Sequence, residues 1–169
     1  MKDGNISIQI RPWTEADRDL ELLYQLNTPE MTKHLGGPES EEFILARHKR
    51  YLELGDRGCM YTVILDHGET AGSVGYWESV WENETVYEIG WSVLPIYQGK
   101  GIASQAVTAA IEEARSEKKH RFLHAFPSVS NKASNAICRK LGFTFVNECQ
   151  FEYPPGSMMQ CNNWRLNLE

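Results

Sequence analysis

A glycine-rich stretch in the middle of the chain carries the residue pattern best suited to chemistry. It stands directly before a run with helical periodicity and comprises Gln98, Gly99, Lys100, Gly101, Ile102, Ala103 and Ser104. The first turn of a helix has unpaired backbone N–H groups and the positive end of the helix dipole. Glycine keeps side chains away from these groups, so the stretch predicts a site for an anion such as phosphate.

Three phosphate-binding motifs compete for this stretch. The nucleoside-triphosphate loop needs Ser or Thr after its lysine, and glycine stands there instead. The dinucleotide fingerprint G-x-G-x-x-G is met at Gly99 and Gly101 but has Ser104 in place of its third glycine. It also belongs to an early βαβ unit in which an acidic residue ends the next strand, and this stretch lies mid-chain without such a residue. The pattern [QR]-x-x-G-x-[GA] is satisfied by Gln98, Gly101 and Ala103. A glycine-rich turn without any ligand remains an alternative.

The first third of the chain is predicted to contain one strand and three helices. Residues 6–12 alternate as a strand, and Thr14 is a predicted N-cap for the first helix. Pro29 opens a second, short helix, and residues 41–54 form a third.

The rest of the chain is predicted to alternate between strands and helices. Strands are expected at 60–66, 70–77, 86–93 and 121–127, with a polar loop at 78–85 and a helix after the glycine stretch. A helix at 131–140 ends before Gly142, and two closing strands flank a turn at 154–156. The order is β-α-α-α-β-β-β-α-β-α-β-β, a mixed sheet with helices on its faces.

Length and composition are those of one globular domain spanning residues 1–169. The chain is 41% hydrophobic and 24% charged, and its net charge of −6 argues against nucleic-acid binding and favours cationic partners. No apolar run is long enough to span a membrane, and the start lacks a signal-like segment, so a cytoplasmic location is expected. The scattered Cys and His residues show no metal-ligand spacing.

Three segments together resemble the GNAT superfamily of N-acetyltransferases. They are IRPWTEAD, YEIGWSVLPIYQGKGIA and NKASNAICRKLGF. The N-x-x-S form of the last segment is shared with the branch that contains ribosomal-protein N-terminal acetyltransferases, which the chain most resembles. The resemblance implies a mixed α/β fold, with about seven mostly antiparallel strands flanked by helices. It also implies acetyl-CoA as cosubstrate, with its pyrophosphate on the glycine stretch.

The resemblance further implies where the acetyl-CoA arm lies. Strands 86–93 and 121–127 should splay apart, and the pantetheine should pair with the first of them. Trp91 and Val93 are the expected binding residues there, and a bulge at 92–94 would direct the Val93 N–H at the thioester oxygen. Asn131 should bond the pantetheine, although it also fits as a plain helix N-cap.

A general base is needed because an alkyl amine, with a pKa of about 10, arrives protonated. Glu88 resembles the glutamate that many members carry on this strand and is the candidate, acting through a water. The alternatives are a structural carboxylate or a group that only binds the ammonium. Replacing Glu88 by Gln is expected to lower kcat/KM most at acidic pH.

Two residues are candidates for donating to the leaving thiolate. Cys138 stands where many members carry a tyrosine, although a free cysteine usually packs as a small apolar residue. Ser134 matches the serine of the related branch, although it also fits as a helix cap.

The sequence carries little information about which amine accepts the acetyl group. Aromatic and acidic residues cluster in and around the segment 78–85, namely Trp77, Trp81, Glu78, Glu82 and Glu84. Such a group suits a cationic amine. Solvated acids and core-edge tryptophans are the alternative interpretation. The candidate acceptors are a protein N-terminus, a polyamine and an aminoglycoside-type amine. The protein is expected to be a monomer or a homodimer. The competing functions are a catalytically idle acyl-CoA-binding module on the same fold and a dinucleotide-binding oxidoreductase.

Overall fold

The computed structural model describes residues 6–153 and 155–169, which contain seven strands and four α-helices. The strands are β1 (Ile8–Pro12), β2 (Gly58–Leu65), β3 (Thr70–Trp81), β4 (Glu84–Val93), β5 (Phe122–Ala125), β6 (Thr144–Glu152) and β7 (Met158–Asn167). The helices are α1 (Asp17–Leu26), α2 (Glu41–Leu52), α3 (Ile102–Glu117) and α4 (Lys132–Lys140). All strands join one sheet in the order β1-β2-β3-β4-β5-β7-β6, in which β4 and β5 form the one parallel pair. The predicted mixed, mostly antiparallel architecture is confirmed.

The two faces of the sheet are covered by different helices. Helix α3 packs on one face, where its Val107 lies in a buried apolar cluster with Tyr87 of β4. Helices α1 and α2 pack on the other, where Leu22 and Ile44 cluster with Met60 of β2. Because side chains alternate along a strand, Glu88 lies on the α1–α2 face, next to Tyr87 but pointing away from α3.

A buried carboxylate connects α1 to the sheet. Asp19 is fully buried and accepts hydrogen bonds from Arg11 Nη2 (3.0 Å), the Thr14 N–H (2.8 Å) and hydroxyl (2.8 Å), and the Thr62 hydroxyl (2.9 Å). The prediction of Thr14 as helix N-cap is therefore wrong. Its hydroxyl is committed to Asp19, and α1 begins only at Asp17.

The short helix predicted from Pro29 is also wrong, and residues 28–36 form a series of turns. One helical bond forms, from the Thr32 N–H to the Thr28 carbonyl (3.0 Å). The Thr32 carbonyl then accepts from both Leu35 (2.9 Å) and Gly37 (3.0 Å), which closes a turn instead of extending a helix.

The polar segment 78–85 is a β-arm and not the predicted loop. Strand β3 continues to Trp81, and a two-residue turn of Glu82 (φ 48°) and Asn83 (φ 65°) leads into β4. Left-handed backbone at both central residues is typical of the type I′ hairpin turn. The arm extends the α1–α2 face beyond Glu88.

The remaining elements agree with the sequence patterns in kind. The two closing strands are β6 and β7, and the turn predicted at 154–156 includes residue 154, outside the described residues. Among the described residues, no helix combines the length and apolar character that crossing a bilayer requires.

Candidate functional site

The glycine stretch forms an open turn at the start of α3. Gly99 and Gly101 have φ of 76° and 78°, and a Cβ built on either would meet no atom within 4 Å. Gly101 is the N-cap of α3 and has no capping side chain. The start of α3 is therefore an open turn whose first N–H groups are not capped by a side chain.

Lysine side chains supply positive charge around this turn. Lys100 is exposed within the stretch, and Lys140 at the end of α4 brings its Nζ to 3.4 Å from the Ser104 hydroxyl. Ile102 is buried and Ala103 packs against the α3-face core, so both can serve a ligand only through backbone N–H groups. The sequence did not point to Lys140, because it lies 36 residues from Ser104.

The side chain of Gln98 connects the turn to the end of β4. Its Nε2 donates to the Val93 carbonyl (2.9 Å) and lies 3.5 Å from the Met31 sulfur. This fixes the glycine turn relative to the strand that would hold the pantetheine.

Strands β4 and β5 diverge after a short contact, as the resemblance implied. They pair at only two positions, Tyr87 with Leu123 and Glu88 with His124, and β4 continues to Val93 alone on that side. A gap therefore opens between the strands.

The backbone of β4 presents Trp91 and Val93 to that gap. The Leu94 N–H donates to the carbonyl of Ala71 in β3 (2.8 Å). In an antiparallel ladder the N–H groups of alternate residues face opposite sides of the strand, so those of Trp91 and Val93 face away from β3. The predicted bulge at 92–94 is wrong, because the β3–β4 ladder runs to Val93 without a register shift. Ordinary alternation directs the Val93 N–H.

Glu88 lies opposite Trp77 on β3, and the indole Nε1 donates to its carboxylate (3.2 Å). Burial raises the pKa of Glu88 to about 7, against the opposing effect of hydrogen bonds from Trp77 and Ser79. A carboxyl with this pKa is part ionised at neutral pH and can both take and release a proton.

The three candidate residues of α4 occupy different environments. Asn131 caps the helix, with its Oδ1 accepting from the Ser134 N–H (3.1 Å), which leaves its Nδ2 as a donor. Ser134 is half-buried in the first turn. Cys138 is fully buried in the α3-face core, and burial raises the pKa of its thiol to about 12. This environment favours the packing interpretation of Cys138.

Asn135 is a positioning residue that the sequence patterns did not single out. It is buried; its Nδ2 donates to the carbonyls of Ser128 (3.0 Å) and Asn131 (2.8 Å), and its Oδ1 accepts from Asn162 (2.9 Å) and Trp164 (2.8 Å). The start of α4 is thereby held against β7. A buried polar residue in an amphipathic helix was the signal available for finding it.

The aromatic and acidic group expected around the acceptor is divided between the faces. Trp77 and Trp81 share the face of Glu88, because β3 and β4 pair in register. Glu78 lies on the opposite face and pairs with Lys119 (2.5 Å) and His120 (3.0 Å), so it does not face the acceptor.

Glu82 and Glu84 are exposed at the β3–β4 turn. In residues 6–153 and 155–169, no group of three or more Cys, His, Asp or Glu residues is placed to hold a metal ion.

Comparisons with known proteins agree with this geometry. The family model for the GNAT acetyltransferase domain matches residues 7–144. No curated protein matches the chain at a significant level of sequence similarity.

Solved structures with the same fold include three acetyltransferases. One, from Salmonella typhimurium, modifies the N-terminal serine of a 50S ribosomal subunit protein (22% identity, 96% of each chain, TM-score 0.76). Another is a spermidine N-acetyltransferase from Vibrio cholerae in complex with CoA and spermine (14% identity, 95% of each chain, TM-score 0.76). The third is the aminoglycoside acetyltransferase AAC(6')-Ib in complex with coenzyme A (20% identity, 95% of each chain, TM-score 0.75).

At these identities the structures show a shared fold. The family model covers most of the sequence, from β1 to the start of β6. The chain therefore belongs to the GNAT acetyltransferase family.

Proposed function

We propose that this protein transfers an acetyl group from acetyl-CoA to a primary amine by direct attack, without a covalent enzyme intermediate. The observation that carries the proposal is the position of Glu88. This carboxyl, with a pKa of about 7, lies on the strand whose free end presents the Val93 N–H to the β4–β5 gap. A proton acceptor and an oxyanion donor are thus held on one rigid element.

The open turn and the gap fit acetyl-CoA, which supplies the acetyl group as an activated thioester. The N–H groups from Gly99 to Ala103 would hold the diphosphate, with Lys100 and Lys140 balancing its charge. The backbone of Trp91 and the amide of Asn131 would bond the pantetheine arm from opposite sides of the gap.

Glu88, Val93 and Ser134 have distinct roles in the proposed transfer. Glu88 takes a proton from the acceptor ammonium, through a water, so that the nitrogen lone pair can form the new N–C bond. The Val93 N–H stabilises the charge that develops on the carbonyl oxygen, a contribution of up to about 3–4 kcal/mol. Ser134 donates a hydrogen bond to the sulfur as the C–S bond breaks and CoA leaves as the thiolate.

Replacing Gly101 by Ala is expected to weaken acetyl-CoA binding by at least about tenfold, or about 1.4 kcal/mol. The new methyl group occupies the open space before α3 and strains a backbone at φ 78°. Isothermal titration with acetyl-CoA measures the change.

Gly55→Ala is the matched control for that strain. Gly55 also has positive φ and open space at its Cβ, and it lies beside Asp56, which contacts Lys119 beyond the far end of α3. Its substitution should lower stability without changing acetyl-CoA affinity. Equal loss of affinity in both variants would remove the diphosphate from the Gly101 turn.

Replacing Glu88 by Gln is expected to lower kcat/KM about 10²- to 10⁴-fold above pH 7. Glu88 is ionised above its pKa of about 7 and protonated below it, so the wild-type rate falls as pH falls through 7 and the variant's deficit shrinks there. The raised pKa thus replaces the sequence-based expectation of the greatest loss at acidic pH. Release of CoA thiol with a panel of primary amines, followed across pH, measures it.

Glu84→Gln is the control, because Glu84 is an exposed carboxylate on the same face of β4. Its pH profile should match the wild type. An unchanged profile in Glu88→Gln would remove Glu88 from the base role. Acetyl-CoA binding without thiol release for any amine would instead identify a catalytically idle module.

Replacing Ser134 by Ala is expected to lower kcat about tenfold, the value of one hydrogen bond of about 1–1.5 kcal/mol in the transition state. Cys138→Ala should keep kcat and lower the free energy of unfolding, since it leaves a cavity in the core. Initial rates and urea unfolding of both variants show which residue donates to the leaving thiolate and which packs in the core. Full kcat in the serine variant with loss in the cysteine variant would reverse the assignment.

A further inference from the structure

A patch of four contacting rings lies beside Glu88 on the α1–α2 face. We define the aromatic patch as Trp81, His124, Phe126 and Phe151. Ring centroids lie 5.3 Å apart for Trp81 and Phe126, and 5.2 Å apart for Phe126 and Phe151. The ring of His124 is stacked on Phe126 at 5.7 Å, and His124 is the register partner of Glu88. One residue of the patch is therefore adjacent to Glu88, the proposed base, in the sheet.

Three of these rings are accessible to a ligand. His124 is buried, whereas Trp81, Phe126 and Phe151 are half-buried. They come from β3, from the residue after β5 and from β6, so three separate parts of the chain contribute to one surface. A flat group could lie on Phe126 and Phe151, and Phe126 is stacked with His124, the register partner of Glu88.

Among the described residues that lie within this face, Asp19 is paired with Arg11 and Glu39 with Arg47, whereas Glu88 is bonded by the Trp77 indole and has no cationic partner. The imidazole of His124 pairs through Nδ1 with Asn163 Oδ1 (2.8 Å), and burial together with Arg165 lowers the pKa of His124. It is therefore neutral at neutral pH and contributes no negative charge. Glu82 and Glu84 also face His124, but they are exposed at the turn, where water screens them.

A second ammonium would be poorly placed on this surface. Once desolvated it would lie against apolar rings and a neutral imidazole, with Arg165 nearby, and burying a charge without a partner is costly. Polyamines and aminoglycosides carry several such charges. An amine with one charge places it at Glu88 and leaves its body on the patch.

Side-chain contacts also join the two edges of the α1–α2 face. Helix α2 packs on the β1–β3 side through Tyr51 and Leu52, while Tyr153 follows β6 at the opposite edge of the sheet. Arg47 of α2 nevertheless contacts the Tyr153 hydroxyl (2.6 Å), and both bond Glu39. These contacts therefore connect α2 to the end of β6 on the face that carries the patch.

We infer that the acceptor is a small primary amine with one positive charge and an aromatic body, which lies on Phe126 and Phe151 while its nitrogen lies beside Glu88. This inference rests on the proposed acetyl transfer. The ammonium loses one proton to Glu88, and its nitrogen forms the bond to the acetyl carbon as the C–S bond breaks. The second proton that the nitrogen sheds goes through solvent to the CoA thiolate, which leaves as the thiol.

The test compares acceptors at saturating acetyl-CoA. Phenethylamine, spermidine, kanamycin and a short peptide with a free N-terminus are assayed for acetylation, with products identified by mass spectrometry. Phenethylamine is expected to show the highest kcat/KM, by at least about tenfold. Spermidine, kanamycin or the peptide exceeding phenethylamine would overturn the inference and leave the proposed acetyl transfer intact. Acetylation of none would overturn both.

Variants of the patch test the position of the ring. Phe126→Ala and Phe151→Ala should each raise the KM for phenethylamine about tenfold, with kcat and the KM for acetyl-CoA nearly unchanged. Phe145→Ala is the matched control, since Phe145 is 49% exposed on the same strand as Phe151 and contacts Trp164 in the α3-face core instead. Thermal unfolding verifies that each variant is folded, and either patch variant alone suffices for the test. An unchanged KM in a folded patch variant would contradict the inference.

Discussion

The divergence of two parallel strands is the constraint on which the site depends. β4 and β5 pair at only two positions, after which β5 ends at Ala125 and the chain turns towards α4. β4 stays bonded to β3 through Val93, so its other side has backbone groups without a strand partner. In an otherwise complete sheet, such groups are an attachment point for an extended ligand. A short 3-10 turn at Pro95–Tyr97 leads from β4 to the glycine turn, which extends this edge to the first turn of α3.

The two faces of the sheet supply different chemical environments to this gap. The α3 face is an apolar core that holds Tyr87 and Val93 in place and also buries Cys138. The α1–α2 face carries Glu88, the indole that bonds it and the aromatic patch. Because Glu88 is half-buried on the α1–α2 face, desolvation raises its pKa to about 7. The fold thus turns an ordinary carboxyl into a group that exchanges protons at neutral pH.

Local patterns predicted the parts of the site that a single segment forms. The glycine turn, α3 and the Asn131 cap of α4 are each encoded within a few residues, and the resemblance supplied the strand divergence. The parts that failed depend on contacts that residue type and spacing do not determine. Thr14 does not cap α1 because its hydroxyl donates to Asp19. Glu78 lies on the α3 face because β3 continues to Trp81, and there it pairs with Lys119 and His120.

Register explains the remaining differences. The aromatic patch becomes visible only when His124 is known to pair with Glu88 and when β6 is placed next to β7. The arm at 78–85 looked like a loop because its polar residues conceal a two-residue turn of left-handed backbone. The burial of Cys138 follows from how α4 packs, which residue type and spacing do not determine.

Amide hydrogen exchange of β4 tests the central claim most directly, because alternate residues on this strand face different partners. The account predicts that acetyl-CoA slows exchange at Trp91 and Val93, whose N–H groups face the gap. It predicts no change at Gly90 and Ser92, whose N–H groups already bond to β3. Unchanged exchange at Trp91 and Val93, at acetyl-CoA concentrations that saturate the protein, would contradict it.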